Sequence, residues 1–133
     1  MPQKNKPSSP RIKVIQKLYG SLINPEQPIE YPKSQYRKFI KDVVVGTLER
    51  KELIEDKIEE YLSEDIVLKK TDKLLKIIIF AAIYELLFKH NNPKKVIISE
   101  YLKASEFFLE NIQIKYLNAI LDKISSKIRN ENN

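Results

Sequence analysis

From Ile77 to Phe88 the chain runs twelve residues with Glu85 as its one charge. A membrane span needs about 20 apolar residues, so this run is too short to cross a bilayer. Ile77 to Ile83 leave no polar face, and a helix that is apolar all round must be enclosed by other elements. Three consecutive isoleucines would also suit a strand. The length and the continuation through Tyr84, Leu87 and Phe88 at helical spacing favour a helix instead. The chain must therefore fold around this segment, predicted as a helix from about Asp72 to Lys89 with Thr71 as its N-cap. Glu85 then needs a partner group or a place at the edge of the core, because a buried unpaired carboxylate is costly.

The flanking sequence supplies the enclosing helices. Ile15, Leu18, Tyr19, Leu22 and Ile23 recur at helical spacing, so a helix is expected from about Arg11 to Ile23, with Pro10 at its start. NPEQPIEYP (24–32) is a loop. A helix over about 33–48 places Tyr36, Phe39, Ile40, Val43, Val44 and Leu48 on one face, and Gly46 within it permits close contact with a neighbour. A third follows over about 51–62, its outer face acidic with Glu55, Asp56, Glu59 and Glu60. Asn92-Pro93 signals the start of a fifth helix running to about Leu109, and a sixth runs from about Gln113 to Arg129. No alternating strand pattern and no repeat occurs. The fold class is all-α: a compact bundle of about six to seven helices in two packed sub-bundles around helix 72–89. One helical domain is expected over residues 11–129, between a disordered basic tail (1–10) and a frayed end (130–133).

The 133 residues suit a single domain with a real core. No cysteine is present, which excludes disulfides and thiolate metal sites. Two glycines leave no phosphate-binding loop of the GxGxxG or Walker type. The single histidine, His90, cannot build a metal cluster. Carboxylate pairs such as Glu59-Glu60 lie on a polar face, and no nucleophile–base constellation occurs, so the chain reads as a non-enzyme without cofactor or metal. The polar start has no signal-peptide character, and a cytoplasmic location with no membrane association is expected.

Charge gives the first functional direction. The net charge of +6 comes from 20 Lys and 4 Arg against 18 acids. Residues 1–20 hold Lys4, Lys6, Arg11, Lys13 and Lys17 and no acid. Such a segment is either an anion-binding patch or a solubilising tail, and charge alone leaves both open. Tyr19 sits at the end of this basic helix, where its ring could pack or stack on a base. Asn118 and Asp122 lie four apart on the last helix, flanked by core residues.

Three blocks then bear a resemblance. Tyr84-Glu85-Leu86 is followed by Pro93-Lys94-Lys95-Val96-Ile97-Ile98-Ser99-Glu100 and by Tyr116-Leu117-Asn118-Ala119-Ile120-Leu121-Asp122-Lys123. Upstream stand Arg11 and Gln16-Lys17-Leu18-Tyr19. In order and spacing these resemble the NusB family of bacterial transcription antitermination factors, over about Arg11 to Arg129. The resemblance implies an all-helical fold of two packed bundles and no catalysis. It implies binding of boxA-type single-stranded RNA together with NusE, a small-subunit ribosomal protein, within the RNA polymerase antitermination complex. The resemblance lays the basic N-terminal segment and first helix, with Lys4, Lys6, Arg11, Lys13 and Lys17, beside the RNA, puts Tyr19 and Asp122 near the functional surface, and ties Glu85 to the protein partner. Tyr116, like Tyr19, offers a ring on which an RNA base could stack. Asp122 would accept hydrogen bonds from base amino groups and so select rather than attract.

The chain departs from the family pattern in four ways. The N-terminus is rich in Lys rather than Arg, and Lys lacks the planar fork of a guanidinium. Phe80 stands where many members have Arg, removing one candidate partner for Glu85. Ser99 and Ala119 replace the usual Asn and Gly. The alternative function is a helical protein-interaction module of the same fold with weak or no RNA binding. A methyltransferase-associated domain is a poor fit, because no nucleotide-binding glycine motif is present. Self-association as a homodimer stays open.

Overall fold

The computed structural model describes residues 9–129. It contains α1 (Pro10–Ile23), α2 (Arg37–Glu49), α3 (Lys51–Leu62), α4 (Lys73–Phe88), α5 (Lys94–Ser105) and α6 (Asn111–Ile128), with a single 3-10 turn at Leu68–Lys70. No strand occurs among the described residues.

The apolar run takes the place its composition demands. α4 packs against all five other helices, and Ile78, Ile79, Ala81, Ala82, Ile83 and Leu86 are wholly buried. α4, α5 and α6 pack mutually, while α2 bridges α1 and α3 in the other group. Gly46 sits where α2 crosses α4. A Cβ there would overlap the ring of Tyr84, so the close approach requires glycine.

The helix ends differ from expectation for local reasons. α1 begins at Pro10, inside the expected tail, because the Ser9 hydroxyl accepts the Arg11 N–H (3.2 Å) and proline suits the first turn. α2 begins at Arg37, four residues late. Ser34 Oγ accepts the Tyr36 N–H (3.3 Å) and Arg37 Nε donates to the Tyr31 carbonyl (2.6 Å), a local turn that competes with helix. Asp72, not Thr71, caps α4: its Oδ2 accepts from Leu74 N and Leu75 N at 3.1 Å each. The Thr71 hydroxyl instead donates to the Val67 carbonyl (2.8 Å). α5 stops at Ser105, short of Leu109, where the Ser105 carbonyl takes the N–H groups of Phe108 and Leu109 in a turn. α6 starts early because Gln113 Oε1 accepts the Glu110 N–H (3.0 Å), half of a capping box.

The end of α6 returns to α4. Arg129 is buried and donates to the carbonyls of Leu86 (2.8 Å), Asn92 (2.8 Å), Lys89 (3.0 Å) and Glu85 (3.3 Å). The last carbonyls of a helix lack intrahelical partners. One guanidinium here takes two of them, Glu85 and Leu86, together with the carbonyls of the C-cap Lys89 and of Asn92 just beyond.

Candidate nucleic-acid interface

Arg11 and Glu85 do not reach the surface. Glu85 is 0% exposed and Arg11 7%. Arg11 Nη2 donates to Glu85 Oε1 (2.7 Å) and Nε to Oε2 (3.0 Å), a two-pronged charge-assisted pair. The Tyr101 hydroxyl donates to Glu85 Oε2 (2.5 Å). The guanidinium lies 4.9 Å from the Phe39 ring centroid and 5.5 Å from that of Tyr101. Burial works against the charge on Arg11, but the hydrogen bond and charge of Glu85 outweigh it and hold the guanidinium above its ordinary value. Burial, then the Glu85 carboxylate, push the Tyr101 phenol well up. Two expectations are thereby corrected. Arg11 is spent on Glu85 rather than offered to a phosphate, and Glu85 is enclosed rather than presented to a partner. Phe80 does not orphan Glu85, because Arg11 and Tyr101 satisfy it.

The remaining residues of the expected set fall on separate faces. Lys13 and Lys17 line two adjoining hollows on one flank of α1. The first, about 460 Å³, runs along Gln16 and Gly20 to the loop at Gln27–Glu30. The second, about 250 Å³, continues past Tyr31, Lys33, Ser34 and Arg37. Together they form a groove between α1 and the α1–α2 loop. None of Lys13, Lys17 and Lys33 takes part in an ion pair among the described residues.

Tyr19 lies on another flank of α1, 39% exposed. It borders a shallow hollow of about 570 Å³ with Lys69, Lys70, Lys73, Phe108 and Gln113. The lysines come from the α3–α4 connection and the first turn of α4, so three cations and two rings meet around one site, with Asp72 and Glu110, both engaged as helix caps, on its wall.

Tyr116 and Asp122 do not form one edge. Six residues on a helix place them about 120° apart around α6. The Tyr116 hydroxyl donates to the Asp65 carbonyl (2.7 Å), and Lys123 Nζ donates to Asp65 Oδ2 (2.7 Å). Burial and the Asp65 charge push the Tyr116 phenol up. Asp122 is exposed and instead borders a hollow against α5 with Lys95, Ser99 and Lys103. Lys4 and Lys6 lie outside the described residues. Lys33, Lys69, Lys70 and Lys73 escaped the sequence reading. The Lys69-Lys70 doublet was visible, but only packing brings it to Tyr19.

Among the described residues no helix is long and apolar enough to cross a membrane, and no group of three or more His, Asp or Glu could hold a metal ion. The sequence profile described as the NusB family matches residues 8–126. The chain belongs to the NusB family. Relatives each bearing the name transcription antitermination protein NusB include one from Mesorhizobium japonicum, 32% identical over 94 residues, covering 71% of this chain and 61% of that protein. One from Nitrobacter hamburgensis is 32% identical over 91 residues, covering 68% of this chain and 57% of its own length. The chain thus spans about three fifths of the length of these relatives. The solved structure of T. maritima NusB matches with a TM-score of 0.76 at 22% identity, over 92% of this chain and 93% of that one, which shows the shared fold.

Proposed function

We propose that this member of the NusB family is a transcription antitermination factor that holds boxA-type single-stranded RNA across α1, together with NusE, within the RNA polymerase antitermination complex. One observation carries the reading. α1 stands between two basic faces, Lys13, Lys17 and Lys33 on one flank and Lys69, Lys70 and Lys73 around Tyr19 on the other. Unpaired lysines attract phosphates without regard to sequence. An exposed ring among them offers a base-stacking platform worth about 1–3 kcal/mol per base. Lys4 and Lys6 would extend the positive charge from the N-terminal side. Tyr116 stands one turn along α6 from Gln113 of the Tyr19 hollow, whereas Asp122 borders the separate hollow against α5. No catalytic role is proposed.

The competing reading, a protein-interaction module without RNA, draws on the burial of Arg11, which leaves the α1 surface with lysine alone. Fluorescence anisotropy separates the two. Labelled boxA RNA and a scrambled RNA of equal length are titrated with the full chain, with and without NusE. Preference for boxA that strengthens with NusE supports the antitermination reading. Equal affinity for both RNAs, unchanged by NusE, supports the interaction module.

A further inference from the structure

On the side of the bundle where α1, α2, α3 and α4 converge, the helices leave an open groove of about 330 Å³. Leu18, Leu22, Pro25, Leu48, Ile77 and Phe80 make it apolar. Leu22 and Leu48 follow the apolar stripes of α1 and α2, yet they are 46% and 45% exposed. Helical periodicity puts them on the inward faces, and no described residue covers them. Clustered exposed apolar side chains mark interaction sites in a way that scattered ones do not.

Two polar features narrow the occupant. Thr47 lines the groove, is 4% exposed, and its hydroxyl has no partner among the described residues. A buried hydroxyl without a partner is costly, and an incoming acceptor would relieve it. Lys51 and Lys76 also line the groove, and neither enters an ion pair among the described residues. An apolar floor between two unpaired cations fits an amphipathic protein segment with acidic flanks. It suits a single-stranded RNA less well, because its floor is aliphatic apart from Phe80, which is buried and leaves no open ring for a base to stack on.

We propose that this groove is the docking site for a protein partner. The partner would insert two or three large apolar side chains between Leu22, Leu48 and Phe80. Its Asp or Glu residues would meet Lys51 and Lys76, and a carbonyl would accept from the Thr47 hydroxyl. The groove shares only Ser21 with the hollow beside Lys13 and Lys17, and no residue with the one around Tyr19. RNA and protein could therefore be held at once. The inference rests on the reading that the chain works with a protein partner, for which NusE is the probe.

Calorimetric titration of NusE into the full chain tests it, with wild type, Leu48→Glu, Lys51→Glu/Lys76→Glu and Thr47→Val compared. Leu48 is already exposed, so its replacement should keep the fold, checked by circular dichroism. The groove predicts a loss of about 30-fold or more for Leu48→Glu. The double charge reversal should weaken binding by about 10-fold or more and reduce its salt dependence. Thr47→Val should raise Tm while weakening the complex about 5-fold, because the hydroxyl is unsatisfied alone and paired only in the complex. A merely structural threonine would not move stability and binding in opposite directions. Wild-type affinity in all three variants overturns the groove and leaves the antitermination reading intact. Absence of NusE binding by wild type overturns both. Sedimentation velocity adds one more refuting outcome: a wild-type dimer that Leu48→Glu makes monomeric, with NusE binding unchanged, assigns the groove to a second copy.

Discussion

Replacing Glu85 by Gln separates a buried structural role from a surface contact. In the wild type Glu85 accepts two bonds from Arg11 and one from Tyr101 with no exposure to water. The amide keeps the shape and removes the charge, leaving a buried guanidinium without a counter-ion. Breaking a buried pair from one side costs about 3–5 kcal/mol. For a chain of this length about 3 °C of Tm follows each kcal/mol, so a fall of roughly 10–15 °C is expected by calorimetry or thermal circular dichroism. The triple variant Arg11→Met/Glu85→Leu/Tyr101→Phe removes both charges and the hydroxyl that would otherwise be stranded, and should recover most of that loss, because apolar replacements of buried pairs are often neutral or better. RNA and NusE affinities of Glu85→Gln, measured well below its Tm, should stay near wild type. A Tm within about 2 °C of wild type combined with lost NusE binding would refute the reasoning and return Glu85 to a partner surface.

Three further outcomes follow. Arg129→Ala removes four carbonyl contacts at the end of α4 and should cost about 3 kcal/mol, read by urea denaturation. Gly46→Ala forces a Cβ into the Tyr84 ring and should cost about 1–3 kcal/mol, whereas the same change at Gly20, where a Cβ meets nothing within 4 Å, should be nearly neutral or stabilising. The Tyr101 phenol is raised in the folded state, so its contribution is complete below the ordinary tyrosine value near 10 and is lost as pH rises above it. Denaturation midpoints should therefore fall above about pH 10, and Tyr101→Phe should lessen that fall at the expense of lower stability at pH 7.

The sequence showed most of the fold because the signal was strong where packing is uniform. The run at Ile77–Ile83 could have suited a strand, but its continuation at helical spacing to Phe88 favoured the enclosed helix that forms, and α3 lay where its periodicity put it. Boundaries shifted where local hydrogen bonds outcompeted the helix, to the Ser34 side chain before α2 and to the Ser105 carbonyl after α5. The site was less legible. Arg11 and Glu85 stand 74 residues apart, and no local pattern announces that they pair. Arg11 looked like one more cation of a basic segment, and only the depth of α1 in the bundle distinguishes it from Lys13. Tyr116 and Asp122 read as neighbours in a motif, yet the helix turns them to different faces. Lys69, Lys70 and Lys73 looked like a solvated connection until packing set them beside Tyr19.

The salt dependence of boxA binding tests the two-faced α1 surface most directly. For single strands the slope of log K against log salt is about −0.7 per neutralised phosphate. Lys13→Ala/Lys17→Ala and Lys69→Ala/Lys73→Ala should each make the slope shallower by about 1.4, and the four combined by about 2.8. Lys95→Ala/Lys103→Ala, beside Asp122, should leave it unchanged. A slope that ignores both α1 pairs, or that responds equally to Lys95 and Lys103, would contradict the account.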